Sequence, residues 1–220
     1  MKQIGFKTQS EETLNICYLV FFAQFLNSTF LIVLSSINFE GTPFEFLSVM
    51  GINGKHSHMS QEWYKDVGYQ LIMTQETQAF LPYYNLFKIL LMKWIKKKLD
   101  KGWSDKNKTK AKTIQQYIET YAGPNVMMYK GYAILMNTSL VTFTFGLGLP
   151  ILFPISLLAL VNHYICEKIS FAYIYRKPPM YGNQINDGCL NVLKYAPILM
   201  MSFQYWAFTN KAIFKNENDG

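Results

Sequence analysis

Glu76 is the side chain whose type and position most directly suggest a chemical task. It is the only acidic residue well inside the apolar stretch from Tyr69 to Met92, where Gln75 and Gln78 flank it. A carboxylate enclosed by helices attracts cations, and rings of such groups select for cations in channels. The alternative is a glutamate at the membrane interface, or one that a lysine on another span neutralises. The sequence therefore leaves two interpretations for Glu76, a pore carboxylate and a structural charge.

Uncharged polar side chains inside other apolar stretches form a second group of candidates. Each is costly to expose to lipid, so each tends to face the interior of a helix bundle or an aqueous path. Together with Glu76, the candidate pore-lining residues are Gln24, Asn27, Asn137, Ser139 and Thr142. Serine and threonine hydroxyls also hydrogen-bond one helix to another, so helix association is the competing explanation for this group.

His163 and Glu167 are four residues apart and therefore share one face of a helix. Such a pair suits pH sensing, while a structural contact near the membrane interface is the simpler explanation. The sequence has no phosphate-binding glycine loop, no HExxH pattern and no G-x-S-x-G motif. The three cysteines lack metal-binding spacing. We therefore expect a protein that is not an enzyme and has no metal site and no cofactor.

Five apolar segments are predicted to position these residues. At a rise of about 1.5 Å per residue, a helix of about 20 residues crosses a hydrocarbon core of about 30 Å. The segments cover residues 13–37, 69–92, 126–147, 149–173 and 189–214. They predict an all-α fold, a single polytopic transmembrane domain over residues 1–220, and a multi-pass location in the plasma membrane or an endomembrane. For the second segment, an amphipathic helix at the membrane surface is the main alternative.

The net charge of +7 comes largely from a lysine-rich block within residues 93–124. Lysine-rich loops beside membrane spans lie in the cytoplasm, so this block indicates a cytoplasmic loop and a lipid bilayer as partner, with no nucleic acid. A cytoplasmic N-terminus places this loop and Arg176-Lys177 on the same side, after the second and fourth spans. This alternation supports five spans over four.

Prolines and glycines interrupt the apolar segments at positions where a helix would bend or end. The candidate hinge residues are Pro82, Gly146, Gly148, Pro150, Pro154 and Pro197. The third and fourth segments together exceed the length that one crossing needs. A tight helical hairpin around Gly146-Leu147-Gly148 is therefore preferred over one long bent helix.

The region from the third segment onwards carries an F-G-x-x-x-P-x-L-x-P motif, a tyrosine-bearing helix and an aromatic run into a proline-rich loop. The matching residues are Phe145, Gly146, Pro150, Leu152, Pro154, Tyr164, Lys168, Tyr173, Tyr175, Pro178 and Tyr181. A weaker match is Phe25-Leu26-Asn27 in the first span. This pattern resembles the C-terminal part of the pore domain in OSCA/CSC-type channels. These are calcium-permeable cation channels that respond to stretch or osmotic stress, and they are distant relatives of the anoctamins and the transmembrane channel-like proteins.

The resemblance implies a lipid-embedded, dimeric cation channel with a pore in each subunit. The family's earlier spans and large cytosolic domain have no counterpart in this chain. The expected function is therefore a mechanosensitive or osmosensitive cation channel, or the C-terminal half of its pore acting as a homodimer or with a missing N-terminal half. A lipid scramblase or secondary transporter is one alternative, and a non-conducting accessory subunit is another.

Overall fold

The computed structural model describes residues 9–30, 61–101, 109–176 and 181–208, and every regular element in these ranges is helical. This confirms the prediction of an all-α fold. The helices are α1 (Gln9–Phe25), α2 (Tyr69–Lys101), α3 (Ile114–Tyr121), α4 (Met128–Phe145), α5 (Leu152–Tyr173), α6 (Gln184–Leu193) and α7 (Ala196–Phe208). A π-helical turn at Leu26–Phe30 extends α1, and a short helical lead from Gln61 to Gly68 precedes α2. Residues 31–37 of the first predicted span lie outside the described ranges.

Helix α2 is longer than the predicted second span. It continues past Met92 to Lys101, so the first part of the predicted loop at residues 93–124 is helical. Lysine has a good helix propensity, and a run of lysines near a helix C-terminus complements the negative end of the helix dipole. This part of the predicted cytoplasmic loop is helical, because local helix propensity continues where the apolar pattern stops.

Helices α4 and α5 form the hairpin that the glycines around residue 147 predict. The hydroxyl of Thr142 on α4 and the hydroxyl of Ser156 on α5 share a buried hydrogen bond. Further along the pair, the space beside Gly131 is filled by the imidazole of His163. Residue numbers that rise on one helix while they fall on the other show that α4 and α5 are antiparallel.

The predicted fifth span, residues 189–214, is not one helix. Helix α6 ends at Leu193, and α7 begins at Ala196 after a turn at Lys194 and Tyr195. Pro197 lies in the first turn of α7, where the missing amide hydrogen costs nothing, so it starts a helix instead of bending one. The predicted span therefore contains two helices, and residues 209–214 lie outside the described ranges.

Helices α2 and α5 run in the same direction. Leu71 and Leu152 share one core cluster near the start of both helices. Further along, the side-chain amide of Asn162 donates to the Ala79 carbonyl oxygen at 3.0 Å. Because α4 is antiparallel to α5, it is antiparallel to α2 as well.

Helices α1 and α7 run in the direction of α4. Phe25, at the end of α1, packs against the cluster that contains Phe145 at the end of α4. At the start of α7, Ala196 belongs to the same apolar cluster as Ala133 and Met136 of α4. Further along α7, the Phe203 ring contacts the Phe145 ring at the end of α4, with centroids 4.5 Å apart. The segments α1, α2, α4, α5 and α7 therefore alternate in direction along the chain.

The interior of the bundle contains polar side chains beside its apolar clusters, and its surface carries many large apolar side chains. Buried polar side chains include Gln75, Asn137, Thr138, Thr142, Thr144, Ser156, Asn162, His163, Ser170 and Gln204. Exposed apolar side chains on α2, α5 and α7 include Phe80, Phe87, Leu90, Leu157, Leu158, Val161, Ile165, Ile198 and Met201. Among the described residues, Leu152–Tyr173 is the helix long and apolar enough, by length and composition, to cross a membrane.

Candidate functional site

A cavity of about 690 Å³ opens between α2, α4 and α5. The connection from α3 to α4 closes one side of it with Gly123, Pro124 and Asn125. Apolar side chains such as Leu81 and Ile134 form part of the wall. A cavity of this size with a mixed apolar and polar lining fits a ligand of a few hundred daltons or the headgroup of a lipid.

Positive charge dominates the lining of this cavity. The basic side chains that line it are Lys88, Lys93, Lys96, Lys130 and Arg176. Glu167 is the one carboxylate among the described residues that line it. Clustered lysine and arginine side chains create a positive potential that raises the local concentration of anions and repels cations. The cavity is therefore an anion-attracting site by its charge.

Arg176 is held in place by backbone carbonyl groups. Its Nε donates to the carbonyl oxygen of Gly123 at 2.9 Å, and its Nη2 donates to that of Ile118 at 3.1 Å. Gly123 has φ 89°, in the left-handed region, and a Cβ there would collide with the Ile174 carbonyl oxygen. Glycine is required at this position because the chain must turn tightly against Ile174. The guanidinium group is thereby fixed at the cavity wall.

His163 lines the cavity and is buried, with 8% of its surface exposed. Its Nδ1 has no hydrogen-bond partner among the described residues. Burying a polar atom without a partner costs about 1–3 kcal/mol, so such an atom usually awaits a water or a ligand. His163 is therefore a cavity-lining side chain with one buried and unsatisfied nitrogen.

A hydrogen-bonded pair joins α2 to α5 beside the cavity. The Tyr83 hydroxyl donates to Oδ1 of Asn162 at 2.9 Å, and the Asn162 side-chain amide donates to the Ala79 carbonyl oxygen. Asn162 is thus satisfied on both sides while it is buried. These bonds fix the spacing of the two helices that form opposite walls of the cavity.

A second polar cluster anchors α3 to the end of α2. Asp100 accepts hydrogen bonds from Thr109 Oγ1 at 2.6 Å, from the Tyr121 hydroxyl at 2.8 Å and from the Lys110 amide at 3.0 Å. The bond from Thr109, and then that from Tyr121, lower the pKa of the Asp100 carboxyl below its ordinary value of 3.8. The same bond to Asp100 raises the pKa of Tyr121 to about 12.

None of the six predicted pore-lining residues is among the described residues that line the cavity. Glu76 and Asn27 are exposed, Gln24 and Ser139 are half-buried, and Asn137 and Thr142 are buried. The Thr142 hydroxyl is already engaged, since it donates to the Thr138 carbonyl oxygen and bonds to Ser156.

Buried amide oxygens on α2 and α4 are a better-placed polar group. Oε1 of Gln75, Oε1 of Gln78 and Oδ1 of Asn137 have no hydrogen-bond partner among the described residues. Gln75 and Asn137 are each 1% exposed, whereas Glu76 points outwards. The sequence shows Gln75 and Gln78 as neighbours of Glu76, but only the helix packing tells which of the three side chains faces inwards.

The candidate hinge residues divide into two kinds. Pro82 is buried within α2, which remains helical through it. Gly146 caps the end of α4, Gly148 and Pro150 lie in the following turn, and Pro154 lies in the first turn of α5. With Pro197 at the start of α7, most of these residues begin or end helices and do not bend them.

Comparison with protein-family models, with curated proteins and with solved structures found no match for this chain.

The lysines that line the cavity were not predicted as a site. Lys88 and Lys130 lie on different helices, and the loop and helix end contribute Lys93, Lys96 and Arg176. These basic residues all lie near the same predicted end of the apolar segments, and this sequence pattern could have indicated a shared basic site. The arrangement is able to bind an anion at one end of the bundle and to present neutral amide oxygens nearer its middle.

Proposed function

We propose that the protein is a multi-pass membrane protein whose helices form an ion-conducting bundle. The observation that supports the membrane location is that many large apolar side chains of α2, α5 and α7 are exposed, while hydroxyl and amide side chains lie buried between the helices beside two apolar core clusters. In water this arrangement would leave a large apolar surface exposed, which soluble monomers rarely do. In lipid it is favourable, because polar groups are then satisfied between helices.

The alternating directions of α1, α2, α4, α5 and α7 support five crossings. Lys93, Gly123 and Arg176 meet at one end of the bundle, since the Lys93 ammonium nitrogen lies 3.7 Å from the position of a Cβ on Gly123 and Arg176 bonds to the Gly123 carbonyl. Basic residues next to membrane spans favour the cytoplasmic side. We assign this end to the cytoplasm and the turn at Gly146 to the opposite side.

Cations would be conducted past the amide oxygens buried between α2 and α4. Carbonyl-type oxygens replace the hydration shell of an ion without a full charge and are common in ion pathways. Gln75, Gln78 and Asn137 supply three such oxygens that have no partner among the described residues. The channel class, mechanosensitive or osmosensitive and calcium-permeable, is the one that the resemblance implies.

Glu76 takes a different place in this proposal. It is exposed on α2 next to exposed apolar residues such as Met73 and Phe80. A carboxylate facing lipid is costly, so a further protein surface must cover it if α2 spans the membrane. We propose that a second copy of the chain, or an N-terminal pore half on another chain, supplies that surface.

The test is to express the chain in cells that lack endogenous stretch-activated channels and to record pressure-evoked currents in membrane patches. Replacing Gln75 by Leu, or Asn137 by Leu, is expected to reduce the unitary cation conductance severalfold. Thr142→Val is the control, because the Thr142 hydroxyl is occupied by helix-to-helix bonds. Conductance unchanged in both leucine variants would contradict a path along these oxygens, and currents absent at confirmed surface expression would contradict autonomous conduction.

A further inference from the structure

The basic cavity has a role that ion conduction does not explain. Five lysine and arginine side chains converge on it, whereas a path for cations should avoid such a region. Solvated lysines at the end of a bundle need no ligand, but these lysines surround a concave site that also contains a fixed arginine and an enclosed histidine. The combination is that of a binding site for a multiply charged anion.

We propose that this cavity binds the anionic headgroup of a phospholipid from the cytoplasmic leaflet. The inference rests on the proposed membrane location, which places the cavity at the level of the cytoplasmic headgroups. Basic pockets between membrane helices on that side are typical headgroup sites, and each lysine or arginine near an anionic surface adds measurably to binding. A phosphate group bears the negative charge and the acceptor oxygens that lysine and arginine recognise.

The two long walls of the cavity suit a ligand that is part lipid. Leu81, Leu86 and Ile89 of α2 line it together with Ile134 of α4, so acyl-chain carbons would meet apolar side chains. Next to α2, the outer surface of α5 carries exposed leucines such as Leu157 and Leu158, which are compatible with bilayer lipid. The apolar wall and the charged end together fit an amphiphile better than they fit a soluble anion.

Arg176 would provide a directed contact, and His163 would report on the bound headgroup. Two carbonyl bonds fix the guanidinium group of Arg176, so little side-chain entropy is lost when it meets a phosphate oxygen. The His163 imidazole lines the cavity beside Gly131, so a headgroup that enters the cavity would change its surroundings. Glu167 lines the same cavity and limits the net positive charge, which favours a headgroup over indiscriminate anion binding.

The experiment uses the full chain purified in nanodiscs of phosphatidylcholine, and the probe is phosphatidylinositol 4-phosphate. Histidine side chains are labelled with ¹⁵N, because the chain has only three histidines and their signals are resolvable. Adding the probe is expected to shift one pair of imidazole signals, and His163→Phe removes that pair. Binding is quantified by native mass spectrometry of the same samples.

Two triple variants separate a built site from general attraction of lysines to a charged surface. The cavity variant is K93Q/K96Q/K130Q. The matched control is K97Q/K98Q/K101Q, which removes the same charge from the same end of the bundle at positions that do not line the cavity. We expect roughly a tenfold or greater loss of affinity in the cavity variant and less than about a twofold loss in the control.

Equal losses in the two variants would overturn the proposal, and so would a probe that leaves the His163 signals unchanged. Inorganic phosphate and soluble inositol phosphate are tested in parallel: binding of these compounds as tight as that of the lipid would mean a site for free anions and not for a headgroup. Extraction of the wild-type chain from membranes with alkaline carbonate is the separate test of the membrane location. Retention in the membrane without probe binding contradicts only the headgroup site, whereas release by carbonate contradicts the proposed function itself.

Discussion

The hydroxyl of Tyr83 on α2 donates to the buried side chain of Asn162 on α5 at 2.9 Å. Seventy-nine residues separate the two in the sequence, so the bond is a tertiary contact that fixes how α2 and α5 pack. Asn162 also bonds to the Ala79 carbonyl oxygen one turn away from Tyr83. Together these contacts set the width of the cavity between the two helices.

Removing this contact should weaken the bundle. Tyr83→Phe and Asn162→Leu are each expected to lower the free energy of unfolding, with a coupling energy of about 1 kcal/mol between them, within the range known for hydrogen bonds between membrane helices. A double-mutant cycle measured by unfolding in mixed micelles gives this energy. A coupling energy indistinguishable from zero would contradict the bond between these two side chains.

Gly146 is predicted to tolerate no side chain. A Cβ at this position would collide with the Thr142 carbonyl oxygen and would lie 2.6 Å from Cζ of Phe153. Gly146→Ala should therefore lower stability by about 1–3 kcal/mol through overpacking. Thermal unfolding in detergent measures the loss.

Gly131→Ala is the matched control for Gly146→Ala. The nearest atom to a Cβ at Gly131 is Nε2 of His163 at 3.4 Å, which is an ordinary van der Waals contact. Because alanine has a better helix propensity than glycine by about 1 kcal/mol, this variant is expected to be as stable as the wild type or slightly more so. Equal destabilisation by both substitutions would show that general helix effects, and not the contact with Phe153, explain the result.

The link between α2 and α3 should depend on pH at both extremes. The lowered pKa of Asp100 means that its stabilising contribution is present above the ordinary value of 3.8 and is lost as the pH falls through the folded-state value. The raised pKa of Tyr121 means that its contribution is present below the ordinary value of 10.0 and is lost as the pH rises through about 12.

The amide signal of Lys110, which donates to Asp100 at 3.0 Å, reports this link by nuclear magnetic resonance. We expect the chemical shift of this amide to stay constant between pH 3.8 and pH 10.0, the ordinary pKa values of the two side chains, and to change at acid pH. Asp100→Asn should abolish the acid transition, and Tyr121→Phe should abolish the alkaline one. An acid transition of the same size in Asp100→Asn would assign it to another group.

Much of the helix content could be predicted from local sequence. Apolar length and flanking charge located α1, α2, α4 and α5, because both signals act within one segment. The turn between α4 and α5 follows from two glycines and a proline within five residues, Gly146 to Pro150. The break at Lys194 and Tyr195 was missed, since Pro197 suits both a kink and a helix start, and the choice depends on how α7 packs on α4.

The candidate site could not be predicted in the same way. Gln75 and Glu76 are adjacent polar residues, yet the packing of α2 in the bundle buries the first and exposes the second. The cavity forms only if Lys88 of α2 and Lys130 of α4 lie at the same height along the bundle axis. No local sequence pattern determines their relative height. That relative height depends on which whole helices pack side by side and in which directions they run.

The central claim is that the apolar outer faces of these helices contact lipid. A nitroxide spin label at Leu157, which is 65% exposed on α5, tests this directly, and the buried cysteines Cys17, Cys166 and Cys189 are first replaced by serine or alanine. In reconstituted bilayers we predict that molecular oxygen, which concentrates in lipid, relaxes this label strongly and that a water-soluble nickel chelate does not. Strong relaxation by the nickel chelate together with weak relaxation by oxygen would place α5 in water and contradict the membrane location.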